Sequence, residues 1–345
     1  MKEQKIKLSV LDQSPVRRGA TAEQALQETI QLARLTDKLG YTRYWVSEHH
    51  NTPGLAGPAP EVLIARLAAE TQHLRLGSGG VMLPNHSTLK VAENFRLLEA
   101  LSPGRIDLGI GRAPGGDRLT AHLLNPSNQF DPRAFVQQLT ELQDFLTDTV
   151  TPDTVLEKVK AIPHAATVPA LWMLTSSGES GVLAAHFGMA LSFAHFINPR
   201  GGPEAVQSYR HRFQPSERLP EPQANVGIFA FCADTDEKVQ ELLAVMDHRI
   251  LNLEKGLRDS APTYAEIKDY PYTEPELQRI HFNRGRMIAG TPEQMKEKIE
   301  QLAARYEVDE VVLATITDDF QDRLRSYELL ADVFDLKPAG VAQAV

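Results

Sequence analysis

Three groups of residues in this sequence have the chemical types to do more than fill a core. The apolar run Tyr44-Trp45-Val46 leads straight into Glu48, His49 and His50, then into a loop rich in Gly and Pro. An imidazole in a part-buried site titrates near neutrality and suits proton transfer, while a neighbouring carboxylate can orient it or serve only as a structural acceptor. The plainer reading is a strand end carrying two hydrogen-bonded surface histidines. A second group, Thr175-Ser176-Ser177-Gly178-Glu179-Ser180, stands directly before an Ala-rich helical run. Unpaired N–H groups and the positive end of the helix dipole make such a start an anion site, and Ser hydroxyls add donors. One Ser would be ordinary N-capping. Three in this window, with Arg112 at the end of another strand, favour a phosphate, because the planar guanidinium fork matches its oxygens. The third group is Gly79-Gly80 inside the apolar segment Leu74 to Leu83. Glycines there weaken a strand, so they mark either a close approach of a flat ligand or a bulge or barrel corner.

Other chemistries find less support. Adjacent strand residues point in opposite directions, so His49 and His50 do not readily face one ion, although His86, His164 or His195 could complete a site in space. No metal is expected. Neither the dinucleotide fingerprint nor a Walker-type loop is present. A single cysteine, Cys232, excludes an internal disulfide and any cysteine-rich metal site. The formal net charge of −9 argues against nucleic acid or an anionic membrane as partner. No apolar run reaches the ~18 residues of a membrane span, and Met1-Lys2-Glu3-Gln4-Lys5 lacks the features of a signal peptide. These observations point to a cytoplasmic protein.

The elements that must position these groups alternate along all 345 residues. Strand patterns fall at Ile6 to Leu11, Tyr44 to Ser47, Leu74 to Leu83, Ile106 to Ile110, Ala170 to Leu174, Ala190 to Phe193, Asn225 to Cys232 and Val311 to Ala314. Helical spacing lies between them, with Thr21 and Gln24 as a capping box and Gly40 as a helix stop. Asp148 to Ala166, with Pro152 and Pro163, reads as an irregular excursion. About eight strands alternating with helices predict an α/β fold, a closed (β/α)8 TIM-type barrel, as one domain over 1–345. In such a barrel the residues after each strand share one mouth. That rule gathers Glu48, His49 and His50; Gly79-Gly80 with Asn85 and His86; Gly111-Arg112; Ser176, Ser177, Gly178 and Ser180; and His195 with Asn198. The polar stretch from Lys255 to Asn283 has weak periodicity and is expected to be an inserted lid.

Several blocks together resemble the luciferase-like monooxygenases: Tyr44-Trp45-Val46-Ser47-Glu48-His49-His50, Leu76-Gly77-Ser78-Gly79-Gly80-Val81-Met82-Leu83-Pro84, Ala92-Glu93-Asn94 with Leu101-Ser102-Pro103-Gly104-Arg105, Gly109-Ile110-Gly111-Arg112, Ser176-Ser177-Gly178 through Ala184-Ala185, and Gly290-Thr291-Pro292-Glu293. They span nearly the whole chain. The resemblance implies a TIM-type barrel that binds FMN at its C-terminal mouth, with Arg112, Ser177 and Ser180 on the phosphate. It places a non-proline cis peptide at Gly79-Gly80 under the flavin ring and the active-site histidine at His49. Where the luciferase α chain has an acidic residue near the phosphate, this chain has Ser176. The implied activity is oxygenation of a small organic substrate by reduced FMN and O2 through a flavin hydroperoxide, with the reduced flavin supplied by a separate reductase and the chain acting as a homodimer. A deazaflavin is the lesser alternative cofactor. Two rival readings stand beside it: a non-catalytic flavin-binding barrel, and a metal-dependent barrel hydrolase using His49, His86 and His195.

Overall fold

The computed structural model describes residues 5–127, 131–149, 155–258 and 260–338. Parts of the sequence readings therefore lie outside the described residues: 1–4 of the signal-peptide test, 150–154 of the excursion, Asp259 of the lid stretch and 339–345 of the single-domain span.

Among the described residues nine strands form one parallel sheet: β1 (Lys7–Asp12), β2 (Arg43–Val46), β3 (Arg75–Met82), β4 (Ile106–Gly111), β5 (Ala170–Thr175), β6 (Ala190–Ala194), β7 (Ala224–Cys232), β8 (Met287–Gly290) and β9 (Glu310–Ala314). From β1 to β7 each strand pairs with the next, and β9 pairs with both β7 and β1. Those eight close the (β/α)8 barrel that the alternating pattern predicts. β8 lies against the C-terminal half of β7, with Phe229 opposite Met287 and Cys232 opposite Gly290. The sequence reading missed it because Met-Ile-Ala-Gly is too short to show a period. Strands covered on both faces need unbroken apolar runs. Accordingly β7, Ala-Asn-Val-Gly-Ile-Phe-Ala-Phe-Cys, is buried at every residue.

The outer helices begin with α1 (Ala22–Leu39), α2 (Pro60–Ala68), α3 (Thr88–Leu101), α4 (Arg118–Leu124) and α5 (Pro132–Thr147). They continue with α6 (Gly178–His186), α7 (Gly202–Arg212), α8 (Asp236–Glu254), α9 (Tyr264–Ile267), α10 (Glu274–Asn283), α11 (Pro292–Tyr306) and α12 (Phe320–Val333). Thr21 and Gln24 form the expected capping box of α1, and Gly40 ends it at φ 88°, where only glycine sits without strain. The stretch from 255 to 283 is folded in good part rather than being one long loop. Capping boxes Thr263/Glu266 and Thr273/Glu276 start α9 and α10, and were the signal that weak periodicity hid.

The N-terminal end of the barrel is closed by buried charges that satisfy one another. Arg43 donates to Asp107 and to Glu310, each at 2.8 Å, and lies over the Trp172 ring. Asp107 also accepts from Trp45 Nε1 at 3.0 Å and from Arg75 Nε at 2.9 Å, while Ser9 donates to Glu310 at 2.6 Å. Ions removed from water this way are tolerable because each has several partners.

Candidate functional site

At the opposite end the strands stop around a cavity of about 660 Å³. Six barrel strands contribute to its wall, through residues such as Leu11, Gly79, Gly111, Leu174, Ala194 and Phe229, and β2 and β9 do so just beyond their ends, through Ser47 and Ile316. This is the mouth at which barrels of this type hold their sites. His49, Gly79, Arg112, Ser176, Ser177 and Ser180 all line it. Glu48, Gly80 and Gly178 do not.

His49 is held by its backbone N–H, which donates to the Gly57 carbonyl at 3.2 Å, and its Nε2 lies 3.4 Å from the Gln13 side-chain amide. Burial pushes its pKa below the ordinary imidazole value against the opposing pull of Glu48, and the nearby Arg249 guanidinium acts in the same direction as burial. The ring is therefore neutral at neutral pH and able to accept a proton. Glu48 faces away from the cavity. Its carboxylate accepts from His50 Nε2 at 2.8 Å, His86 Nε2 at 2.9 Å and the Met82 N–H at 2.8 Å. Burial raises its pKa, but the bonds from His86, Met82 and His50 outweigh burial and the net direction is down. His86 moves up in return, since Glu48 outweighs its own desolvation. Glu48 thus ties the end of β2 to the turn after β3, and its imidazole partners are His50 and His86 rather than His49.

The Gly79–Gly80 peptide is cis. A Cβ on Gly79 would come within 2.7 Å of Leu11 Cδ1, and one on Gly80 within 2.8 Å of the Gly109 carbonyl oxygen. Both are glycine because the neighbouring strands leave no volume for a side chain.

Among the described residues, α6 starts without a side-chain cap. Ser177 is the N-cap residue, yet its hydroxyl makes no capping bond. The Thr175 hydroxyl instead accepts from the Ser177 N–H at 3.1 Å and donates to the Ser177 carbonyl at 2.6 Å, and Asn198 Nδ2 fixes the Ser176 carbonyl at 3.0 Å. The opening N–H groups of α6 are those a helix leaves without internal partners. Arg112 Nη2 donates to Glu179 on the first turn of α6 at 2.8 Å. With Glu179 74% exposed, that pair is weakly held and can yield to a ligand. Gly178, the first residue of α6, has open space where a Cβ would sit, so close approach does not account for it.

The remaining histidines separate. His195 is buried against Tyr306 Oη at 2.7 Å and the Gly285 carbonyl at 2.9 Å, away from the mouth. His164 pairs with Asp148 and Arg96. His49, His86 and His195, the ligands of the hydrolase reading, thus have separate partners. Among the described residues no group of three or more His, Cys, Asp or Glu could hold a metal ion. Cys232 is buried, and burial pushes its thiol up to about 12.

Sequence reasoning missed much of the wall. Gln13 follows β1 and was open to the rule that gathers residues after strands. Arg249, Glu254, Arg258 and Arg286 also line the cavity, with Phe196, Met246, Ile250 and Leu253. Met246, Arg249, Ile250 and Leu253 occupy one stripe of α8 at spacings of three and four, so an arginine stands where the pattern calls for an apolar residue. That anomaly was the available signal. Two buried polar atoms in this wall, Ser47 Oγ and Arg286 Nε, have no hydrogen-bond partner among the described residues.

The family model described as luciferase-like monooxygenase matches residues 6–309. YwcH of Bacillus subtilis (strain 168), an uncharacterized protein, is 48% identical over 330 residues, covering 95% of this chain and 99% of its own. The N-acetyl-S-alkylcysteine monooxygenase of the same organism is 38% identical over 339 residues, covering 95% and 98%. Among solved structures, apo-MsnO8 superposes with a TM-score of 0.89 at 38% identity, covering 97% of this chain and 99% of that one.

Proposed function

This chain belongs to the luciferase-like monooxygenase family, and we propose that its cavity takes reduced FMN and O2 to oxygenate a small organic substrate. The residues present fit that cofactor. A volume of about 660 Å³ falls within the ~300–1,000 Å³ typical of small-molecule sites. Arg112, Ser177, Ser180 and the uncapped start of α6 offer a dianionic phosphate more donors than any neutral group needs. The glycine floor at Gly79 lets a flat ring lie against the sheet. Unpartnered Ser47 Oγ and Arg286 Nε are donors awaiting an acceptor. The observation that carries the reading is that the serine-and-arginine start of α6 and the imidazole of His49 open onto one cavity.

Bound there, FMN supplies the electrons that activate O2, and the protein supplies the surroundings. Arg112 and the α6 start fix the phosphate end and so set where the ring lies. Leu11, Leu174, Phe229 and Ile316 make the inner wall apolar and keep water from the reacting atoms. Neutral His49 is placed at the cavity wall to move a proton, and its Nε2, which accepts from the Gln13 amide at 3.4 Å, becomes available to a substrate proton only when that contact yields. Glu48 acts at one remove, keeping the β2 end and the His86 turn in register. The chain shows no nicotinamide-binding motif, which supports a separate reductase as the source of reduced flavin. A substrate of the kind named for the 38%-identical relative, an N-acetyl-S-alkylcysteine, is the first class to try.

Titration with oxidised and reduced FMN, followed by a screen for oxygenated products from N-acetyl-S-alkylcysteines and other thioethers, tests the reading. Quenching of FMN fluorescence on binding, relieved by Arg112→Ala, and substrate-dependent O2 uptake are expected. Saturable binding of a deazaflavin in place of FMN would move the proposal to that cofactor. Binding without any O2 uptake would leave a flavin-binding barrel.

A further inference from the structure

Of the arginines on the cavity wall, one that the flavin reading does not use stands without a carboxylate partner among the described residues. Arg249, on the inward stripe of α8, is 6% exposed and lines the cavity. Among the described residues no hydrogen bond, ion pair or ring contact is made by its guanidinium. By contrast, buried Arg43, Arg96 and Arg323 each have a carboxylate within 2.9 Å. A guanidinium largely withdrawn from bulk water without a counter-charge is costly to keep, and an anionic group bound in the cavity would offset that cost. Burial accordingly pushes Arg249 down to about 10, which leaves it charged at neutral pH.

Its neighbours say what arrives. Arg249 lines the same cavity as His49, whereas a phosphate already has Arg112 and the α6 start. Met246 and Ile250 flank it on the same helix, and Phe196 and Phe229, 5.3 Å apart, add aromatic wall. A fork of five donors amid apolar surface suits a ligand with a carboxylate at one end and an apolar body.

We propose that Arg249 is the anchor for a carboxylate on the oxidisable substrate, making this enzyme selective for organic acids over their neutral counterparts. The proposal rests on the flavin reading, because it assumes that the other anionic site is taken by the cofactor phosphate.

The test uses FMN-loaded full-length protein and isothermal titration with ω-phenyl carboxylates of two to six carbons beside the matching amides. The wild type is expected to favour the acid over its amide by about 10-fold or more at the best chain length, the scale of a charged hydrogen bond. Arg249→Met should abolish that preference, Arg249→Lys should keep part of it, and FMN affinity should stay within about twofold in both. Removal of an unpaired buried charge predicts that Arg249→Met melts no lower than wild type, which separates lost anchoring from lost folding. No acid preference in the wild type, or a preference that survives Arg249→Met, overturns the proposal. So does a selective loss of reduced-FMN affinity in Arg249→Met, which would assign the guanidinium to the flavin ring. Failure of the flavin reading shows elsewhere, as FMN binding that Arg112→Ala leaves unchanged.

Discussion

The two ends of this barrel use buried charge in opposite ways. At the N-terminal end Arg43, Asp107 and Glu310 form a closed set in which every ion has a protein partner. Among the described residues, at the C-terminal mouth Arg249 has none, Arg112 has an exposed one, and Ser47 Oγ is an orphan donor. Both ends spend desolvation energy; only the first recovers it within the folded chain. Paired charges at the closed end are structure, and the loosely paired or unpaired donors at the open end are those that the proposed function assigns to ligands. Mutations at the first should therefore lower stability with little effect on binding, and those at the second should do the reverse.

The sharpest break in that contrast is His49→Ala. It should lower substrate-dependent O2 uptake by about 10²–10⁴-fold, the usual worth of a positioned acid–base group, with the melting temperature little changed. Equal uptake would leave His49 without a proton-transfer role. At the closed end, Asp107→Ala leaves Arg43 with Glu310 alone and takes the Asp107 carboxylate from Arg75, and should cost about 3–5 kcal/mol in a denaturant titration. FMN affinity of the remaining folded protein should hold, and a parallel loss of both would mean the two ends are not independent. Arg112→Ala should weaken FMN by about 1.5–3 kcal/mol, roughly 10- to 100-fold, without moving the melting temperature.

A smaller effect tests the ion cluster beside the mouth. The Glu48 carboxyl is held below its ordinary 4.5, so its contribution is full above that value and is lost as pH falls through the depressed pKa. His86 is held above its ordinary 6.5, so its contribution is full below that value and is lost as pH rises through the raised pKa. The pair should therefore stabilise most between 4.5 and 6.5. A plot of melting temperature against pH for Glu48→Gln beside wild type should show the gap widest in that window. A gap that does not vary with pH would place Glu48's worth in packing alone.

Much of the site was legible because its residues stand at strand ends. His49, Arg112, Ser176, Ser177 and Ser180 follow β2, β4 and β5, and barrel topology brings those ends together whatever the loops do. Gln13 obeys the same rule after β1 and was overlooked rather than hidden. Arg249 was different in kind. It lies on a helix that comes after β7, and only the angle at which α8 packs over the mouth turns it inward. Glu48 shows the converse error of reading by adjacency. Beside His49 in sequence, it points to the other face of the strand end, where His50 and His86 meet it. His195 likewise follows a strand, yet the chain turns at once, with the Phe196 N–H bonded to the Gly227 carbonyl, and the imidazole is drawn down to Tyr306.

The order of apolar runs, helix caps and glycines determined by itself that the chain would close into a parallel barrel with its polar strand ends at one mouth. Periodicity and turn chemistry are local, and parallel closure follows from their alternation. Which of those polar side chains enter the cavity, which are absorbed by neighbours, and that an arginine on α8 stays unpaired were decided only in three dimensions. Hydrogen-bond partnership depends on directions and distances between segments tens or hundreds of residues apart, and no spacing along the chain encodes those.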